Sequence, residues 1–334
     1  MQNSSDADII HIVCAGDTNY IIPSSVMLCS LFENNREHTI IVHYLGTNLS
    51  ENDKLNLEEL AQKYNRRINF YDVTPENYPP QVRRLLESGQ IPSHITISTF
   101  NRLFITNYLP ANIEKCIYID GDTIITSSLL TLWHERLDNK SIGWCIDGQY
   151  LNCSARRMKL RNYCNAGVLL INIKKWRSIN AVALFTEYIA KNINLLPYAD
   201  QDVLNYIFRD DQVILHPRYN VMIYYYMNEP HYSTFIPCEY KTLGREAIYK
   251  PVIIHYVSGI KPWHKDCIHP MLAEWRKYFK MTKWNTTQLH YKYGAMKRIY
   301  LKIRNISKMI LRLIPAVKRK YPPLHYLNPS SSTK

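Results

Sequence analysis

The sequence predicts an α/β protein built around a parallel, doubly wound sheet. Apolar β-forming runs alternate with amphipathic helical patterns through the first 72 residues, which is the order that produces parallel sheets. The predicted strands also lack polar alternation, as is typical of strands buried on both faces. The 334 residues are enough for one large domain with an appendage.

The amino-terminal part of the chain contains three predicted strands and two predicted helices. The strands lie at 9–14, 40–45 and 68–71, and the helices at 21–32 and 50–64. A turn-rich loop with a short helix follows at 75–92, and a helix at 98–108 carries Arg102 among apolar neighbours. Such an arginine either extends its charged end to the surface or points into a site.

The remainder of the domain continues the same alternation. Further strands are predicted at 116–119, 142–146, 165–172, 213–215 and 252–256. A basic loop occupies 156–163, and helices are predicted from 174 to about 193 and opening at 197–205. The aromatic run 219–226 is expected to line a pocket or the core.

The stretch Asp120-Gly121-Asp122 directly follows the apolar strand at 116–119. In open α/β sheets, ligands bind just beyond the carboxyl ends of the strands. Gly121 permits a sharp turn and the close approach of a ligand. Two carboxylates suit Mg²⁺ or Mn²⁺ bound together with substrate phosphates. Asp-Gly is also a common turn dipeptide, so an ordinary turn is the alternative.

Other polar residues follow predicted strands or open helices. Asp17 and Asn19, after the first strand, either hydrogen-bond a base or ribose or only form a turn. Asp200 is expected to be the N-cap of a helix, which is compatible with a catalytic role. His255 ends a strand and Lys261 lies on a glycine-containing loop, where it is a candidate phosphate contact.

The cysteines and the termini bear on the compartment. The eight cysteines form no C-x-x-C pair and no spacing typical of zinc sites. The first residues are polar without a signal-peptide pattern, and no apolar run is long enough to span a bilayer. We therefore expect a reduced, cytoplasmic protein.

The net charge of +13 is concentrated in the carboxyl-terminal segment. Twelve Lys and Arg residues lie from Lys283 onward and no acidic residue follows Glu274, which leaves 29 basic and 28 acidic residues before Lys283. This asymmetry predicts a domain at 1–280 and a basic tail at 281–334.

The tail has the pattern of an amphipathic helix. Between Met296 and Val317 the apolar residues recur at steps of three and four, basic residues fill the other face, and Pro315 ends or kinks the helix. One interpretation is a helix packed on the domain with its basic face in solvent. We favour association with an anionic membrane surface, because no acidic residue balances the basic face.

Five ordered blocks resemble the retaining glycosyltransferases of family 8, in particular the bacterial lipopolysaccharide and lipooligosaccharide glucosyl- and galactosyltransferases. The blocks are 15–20, 118–122, 165–172, 200–205 and the two-part block at 255–256 and 261–264. The resemblance implies a Rossmann-like GT-A fold, a UDP-glucose or UDP-galactose donor and a Mn²⁺ or Mg²⁺ cofactor. Gly16 is a departure, since many members carry alanine there, and we expect little consequence.

The resemblance also implies roles for individual residues. The implied metal ligands are Asp120, Asp122 and His255. The implied donor contacts are Ala15, Asp17 and Asn19 for uridine, Gly259 and Lys261 for the diphosphate, and Arg102, Asn165, Asp200 and Gln201 for the sugar. Tyr20, Asp120, Gly121, Ala166 and His255 are implied donor-binding residues as well. Asp147, Asp200 and Gln201 are the implied catalytic residues, with Asp147 near both sugars.

The acceptor is the least determined partner. The resemblance implies a saccharide acceptor on a lipid-linked lipopolysaccharide core, and therefore a location at the inner face of the cytoplasmic membrane. A family member acting on a protein or a polyol is the alternative. A nucleic-acid-binding protein is a further alternative, and we do not expect it because the basic residues are confined to the tail without a nucleic-acid motif.

Overall fold

A computed structural model describes residues 9–87, 97–148, 153–226, 238–300 and 303. The main sheet has the strand order β3-β2-β1-β4-β7-β6-β8, and a smaller sheet has the order β5-β10-β9. The strands are β1 Ile9–Asp17, β2 Thr39–Thr47, β3 Arg67–Asp72, β4 Lys115–Ile119, β5 Thr123–Ile125, β6 Ile142–Ile146, β7 Cys164–Asn172, β8 Gln212–Ile214, β9 Val221–Met222 and β10 Ile253–His255.

Helices cover the sheet, and one of them begins with a capping box. They are α1 Ile21–Glu33, α2 Glu51–Lys63, α3 Pro80–Glu87, α4 Leu130–Trp133, α5 Cys153–Met158, α6 Ile173–Ser178, α7 Ala181–Asn192, α8 Ala199–Ile207, α9 Cys238–Ala247 and α10 Leu272–Phe279. At α2, the Ser50 hydroxyl accepts the Asp53 N–H at 3.1 Å and the Asp53 carboxylate accepts the Ser50 N–H at 3.0 Å. This capping box explains why the helix begins there.

Two predicted helices differ in form. The segment carrying Arg102, Ile97–Asn107, is a 3₁₀-helix rather than an α-helix. The single helix predicted from 174 to about 193 is divided into α6 and α7 at Asn180, whose φ of 51° lies in the left-handed region. One residue of that conformation is enough to end one helix and redirect the chain into the next.

The α/β fold class is confirmed, but the main sheet is mixed. The pairs β1–β2, β2–β3 and β1–β4 are parallel, whereas β7 is antiparallel to both β4 and β6. Two core clusters of buried residues pack against this sheet, and β4 and β7 are buried along almost their whole length. Six of the eight cysteines, Cys14, Cys29, Cys116, Cys145, Cys164 and Cys267, are free and buried, where a cysteine behaves as a small core residue.

The carboxyl-terminal segment is only partly described. Trp284 and Leu289 pack against the core, and residues 295–300 are helical. The predicted amphipathic helix otherwise falls on residues outside the described part of the chain. Among the described residues, no helix combines the length and apolar character needed to cross a bilayer.

Candidate active site

The antiparallel direction of β7 brings two of the predicted motifs together. Strand β4 runs directly into Asp120, and Ile119 pairs with Val168 in the middle of β7. The Asp120 N–H donates to the Gly167 carbonyl at 2.8 Å. The Asn165-Ala166-Gly167 stretch therefore lies beside the first carboxylate, although the two motifs are far apart in sequence.

The smaller sheet brings His255 to the same place. Strand β10 is antiparallel to β5, and His255 pairs with Thr123, the residue after Asp122. The His255 Nε2 lies 3.2 Å from Asp122 Oδ1 and 4.0 Å from Asp120 Oδ2. One ligand atom from each of these three residues lies within 4.8 Å of the others. The three proposed metal ligands thus converge.

These three residues fit a divalent cation. Two carboxylates and an imidazole form a donor set that suits Mn²⁺, and two carboxylates with substrate phosphates also suit Mg²⁺. Burial raises the pKa of Asp122, but the charge of Lys261, together with the facing His255 ring, holds that pKa well below its ordinary value. Asp122 is therefore ionised at neutral pH and available to a cation.

Lys261 approaches the same carboxylate from the opposite side. Its Nζ lies 2.5 Å from Asp122 Oδ2 and 2.8 Å from the Tyr256 carbonyl oxygen. Nearby Gly259 borders open space, since no atom lies within 4 Å of where a Cβ would stand. A fixed positive charge beside an open loop is suited to contact with phosphate.

Arg102 points into the site rather than to the surface. Its Nη2 lies 2.9 Å from Asp120 Oδ1, and its Nη1 donates to the Ala166 carbonyl. Its Nε lies 2.7 Å from Asp200 Oδ2, without the alignment of a hydrogen bond. The guanidinium also lies 4.6 Å from the centre of the Tyr118 ring. Arg102 therefore joins Asp120 to Asp200 on helix α8.

The prediction that Asp200 is a helix N-cap is wrong. The N-cap position of α8 is Tyr198, and the carboxylate that accepts the Tyr198 N–H, at 3.0 Å, belongs to Asp202. Asp200 lies in the first turn, where it faces Arg102 instead. Burial raises the pKa of Asp200 to about 6, against the lowering effect of Arg102.

Gln201 is held at both ends of its amide. Its Oε1 accepts from the Ala166 N–H at 3.1 Å and from Asn165 Nδ2 at 3.3 Å, and its Nε2 donates to Asp147 Oδ2 at 3.2 Å. Asn165 Nδ2 also donates to Asp147 Oδ2 at 3.1 Å. Gln201, Asn165 and Asp147 therefore form one hydrogen-bonded group.

A cavity of about 240 Å³ lies between this group and Asp120. Its lining includes Arg102, Asp120, Asn165, Asp200 and Gln201. Small-molecule sites typically combine such a concave shape with a few convergent polar groups. The cavity is the place in the described structure where the predicted metal and sugar residues meet.

The loop implied for uridine also approaches the carboxylates, since a Cβ on Gly121 would stand 3.4 Å from Tyr20 Cδ1. Asp17 Oδ1 accepts the Asn19 N–H at 2.9 Å, so Asp17 has at least the turn role. The Tyr20 ring meets the Trp263 ring edge-on at 5.8 Å. A methyl group on Gly16 would stand 2.5 Å from the buried Tyr44 hydroxyl, so glycine at this position fits its neighbour.

The sequence interpretation missed two residues that define the site. A Cβ on Gly167 would stand 2.1 Å from His255 Cε1 and 2.9 Å from Asp120 Oδ2, so only glycine leaves room for both ligands. Asn220 hydrogen-bonds both His255 and Asn165. Gly167 lay inside a matched block, whereas no sequence signal distinguished Asn220 within the aromatic run.

Comparison with known proteins agrees with this geometry. General stress protein A of Bacillus subtilis is 29% identical over 84% of this chain and 96% of its own. A lipopolysaccharide 1,2-glucosyltransferase of Escherichia coli is 25% identical over 80% and 77%. The crystal structure of the galactosyltransferase LgtC with donor and acceptor sugar analogues has a TM-score of 0.69 and 25% identity, covering 84% of this chain and 100% of LgtC. The family described as "Glycosyl transferase family 8" matches residues 11–267, and this chain therefore belongs to glycosyltransferase family 8.

Proposed function

We propose that this glycosyltransferase is a retaining hexosyltransferase that takes glucose or galactose from a UDP-sugar with Mn²⁺ or Mg²⁺ as cofactor. The observation that carries the proposal is the convergence of Asp120, Asp122 and His255 beside the cavity lined by Arg102 and Asp200. Similarity to a glucosyltransferase and to a galactosyltransferase supports both donors equally.

The residues around the carboxylates are arranged to receive a diphosphate. A divalent cation held by Asp120, Asp122 and His255 would stabilise, as a Lewis acid, the charge that develops on departing UDP. Lys261, 2.5 Å from Asp122, contributes a second positive charge from the protein at the same place. A fixed charge of this kind stabilises a developing anion without reorganisation during the reaction.

The residues around the cavity are arranged to stabilise positive charge on the sugar. Asp200 is 7% exposed at its side chain and contributes to the cavity lining. Arg102 lies within ion-pair distance of both Asp120 and Asp200, which fixes the two carboxylates relative to each other. Gln201, fixed by Asp147 and Ala166, places its amide beside the same space. We assign Asp147, Asp200 and Gln201 to the catalytic group.

We propose a saccharide of the lipopolysaccharide or lipooligosaccharide core as the acceptor. The support is the similarity to a lipopolysaccharide glucosyltransferase over 80% of the chain. A protein or polyol acceptor would leave the donor site unchanged, so donor specificity and acceptor specificity are tested separately.

The first experiment measures UDP release from a panel of UDP-sugars in the presence of Mn²⁺, Mg²⁺ or EDTA. We expect turnover with UDP-glucose or UDP-galactose, loss of turnover in EDTA and recovery with Mn²⁺. Undiminished turnover in EDTA would contradict the metal assignment. The active donor is then offered with truncated lipopolysaccharide cores, a polyol and a protein acceptor, and transfer only to the last two would contradict the proposed acceptor.

We further propose that 1–280 is the catalytic domain and that 281–334 attaches it to the inner face of the cytoplasmic membrane. The helical residues 295–300 expose large apolar side chains, including Met296 at 81% and Tyr300 at 62%. Lys297 and Arg298 lie between them. Apolar and basic residues together on an exposed helix suit a surface of anionic lipid.

A further inference from the structure

Asn220 is a buried residue to which the proposed mechanism gives no role. Its side chain is fully buried, with 0% exposure. It ends the 3₁₀ turn Pro217–Tyr219 and immediately precedes β9, which pairs in parallel with β10 so that Met222 lies opposite His255. Buried amides almost always have hydrogen-bond partners. The two partners of the Asn220 side chain both lie in the active site.

The hydrogen bonds determine the orientation of each amide. The Gly167 backbone N–H, which can only donate, lies 2.9 Å from one terminal atom of Asn165. That atom must therefore be Oδ1, and the other, Nδ2, faces the Asp147 carboxylate. Asn220 also lies 2.9 Å from Asn165 Oδ1, so the Asn220 atom at this contact must be its Nδ2.

The same reasoning determines a proton on His255. With its Nδ2 directed at Asn165, Asn220 presents Oδ1 to His255 Nδ1 at 3.0 Å. An amide oxygen only accepts, so Nδ1 must carry a hydrogen. The proton on one ring nitrogen of a histidine is set by the hydrogen bond that this nitrogen makes. Nε2 is therefore the nitrogen that can coordinate a metal, and it is the one that faces Asp122.

Packing prevents the ring from turning away from this arrangement. The space where a Cβ of residue 167 would stand is filled by the imidazole, 2.1 Å from Cε1 and 2.8 Å from Nδ1. The ring is 4% exposed. Gly167 on one side and Asn220 on the other thus determine the position of the ring and which of its nitrogens carries the proton.

We propose that Asn220 is a positioning residue that keeps the proton of His255 on Nδ1, directs Nε2 to the metal, and joins this ligand to the group formed by Asn165, Asp147 and Gln201. The proposal rests on the metal role proposed for His255. Removing the outer hydrogen-bond partner of a metal-bound histidine typically weakens metal binding about 10- to 100-fold.

Two variants of Asn220 separate its hydrogen bond to His255 from its hydrogen bond to Asn165. Asn220→Ala removes both hydrogen bonds, whereas Asn220→Asp retains an acceptor for Nδ1–H and loses the donor to Asn165. Asn35→Ala is the control, because Asn35 is also buried at 1% exposure, donates to the Leu31 carbonyl and accepts the Leu129 N–H, outside the active site. Thermal melting of all three variants measures how much stability is lost when a buried amide is removed or replaced.

The first measurement is Mn²⁺ affinity without donor, followed by the electron paramagnetic resonance signal of free Mn²⁺. We expect Asn220→Ala to bind about 10- to 100-fold more weakly than wild type, Asn220→Asp to bind at least as tightly, and Asn35→Ala to be unchanged. We also expect Asn220→Asp to turn over more slowly despite saturating Mn²⁺. Wild-type affinity in a folded Asn220→Ala variant would overturn the proposal.

The second measurement needs no variant that must remain folded. Nitrogen NMR of histidine-labelled wild type, with His255 assigned by comparison with His255→Gln, reports which ring nitrogen carries hydrogen. We expect protonated Nδ1 both without metal and with Mg²⁺. A bare Nδ1 with protonated Nε2 would overturn the proposal. If wild type bound no Mn²⁺, the proposed metal function would fail, while the Nδ1 signal would still decide the role of Asn220.

Discussion

Two buried histidines in this protein have opposite surroundings. His43, in the middle of β2, is 1% exposed and lies 3.1 Å from the His11 ring nitrogen and 3.0 Å from the Tyr71 hydroxyl. Burial, together with the nearby charges of His11 and Arg67, lowers the pKa of His43 to about 4. His255, at the end of β10, is equally buried but faces two carboxylates.

The comparison shows that position along a strand, more than burial, separates a structural histidine from a candidate ligand. In the middle of a strand, the neighbours of a side chain come from adjacent strands, which here present the His11 ring and the Tyr71 hydroxyl to His43. At a strand end, the neighbours come from loops, which can bring carboxylates from distant parts of the chain. The following predictions test this distinction, beginning with the largest expected effect.

His255→Gln and His43→Gln should have opposite consequences. We expect His255→Gln to reduce turnover by about 100- to 1,000-fold, because metal stabilisation of a leaving group contributes several kcal/mol, with little change in melting temperature. His43→Gln should lower the melting temperature and leave kcat near wild type. UDP release and thermal melting measure both, and a large kcat loss in His43→Gln would contradict the distinction.

Two carboxylates on α8 allow the same comparison between a residue of the site and a structural residue. Asp200 contributes to the cavity lining, whereas Asp202 accepts hydrogen bonds from Arg157 and Tyr163, each at 2.7 Å, with its side chain fully buried. We expect Asp200→Asn to lower kcat by about 100-fold or more with UDP binding intact, because its charge supports the developing cation. Asp202→Asn should mainly reduce stability, by about 1–3 kcal/mol. Near-normal turnover in Asp200→Asn would show that its charge is not catalytic.

Gly167→Ala tests whether the space beside His255 is needed. A methyl group would overlap the imidazole at 2.1 Å from Cε1, so the ring must shift away from Asp122. We expect Mn²⁺ affinity to fall by about 10- to 100-fold, as for loss of an orienting contact. Gly294→Ala is the control, since no atom lies within 4 Å of its added Cβ. Equal Mn²⁺ affinity in the two variants would contradict the packing argument.

His43 should make the protein less stable in acid. In the unfolded chain a histidine has a pKa near 6.5, so between about 6.5 and 4 the unfolded state binds more protons than the folded state. The contribution of neutral His43 to stability is therefore complete above about pH 6.5 and is lost as the pH falls toward 4, at a cost of about 1–3 kcal/mol. Urea unfolding of wild type and His43→Gln at several pH values measures this. The free energy of unfolding should fall less steeply with decreasing pH in the variant. The same pH dependence of the unfolding free energy in both proteins would contradict this prediction.

The tail should affect membrane binding without affecting the chemistry at His255. A truncation after Gly294 leaves Trp284 and Leu289 in place on the core, whereas a truncation near Lys283 would remove both residues. We expect the full chain to sediment with anionic vesicles at low salt and to be released at high salt, since each basic residue contributes about 1 kcal/mol. The truncated protein should remain unbound and hydrolyse UDP-sugar at the same rate. Equal sedimentation of both would show that the tail is not the anchor.

The sequence by itself determined the parts that depend on local pattern. Apolar runs located β1, β2, β4 and β10 with small errors at their ends, because a strand buried on both faces must be apolar throughout its length. The order of the blocks was sufficient to recognise the family. Asp120 and Asp122 could be placed at a strand end because they directly follow β4 in the chain.

Only the tertiary structure decided which strand ends meet. The direction of β7, the separate sheet that carries His255 and the orientation of Arg102 toward Asp120 and Asp200 depend on pairings between residues far apart in sequence. Local propensity contains no information about such pairings, since strands of either direction have similar apolar patterns. Asn220 is the clearest case, because its role comes entirely from two contacts, with Asn165 and His255, that are 55 and 35 residues away.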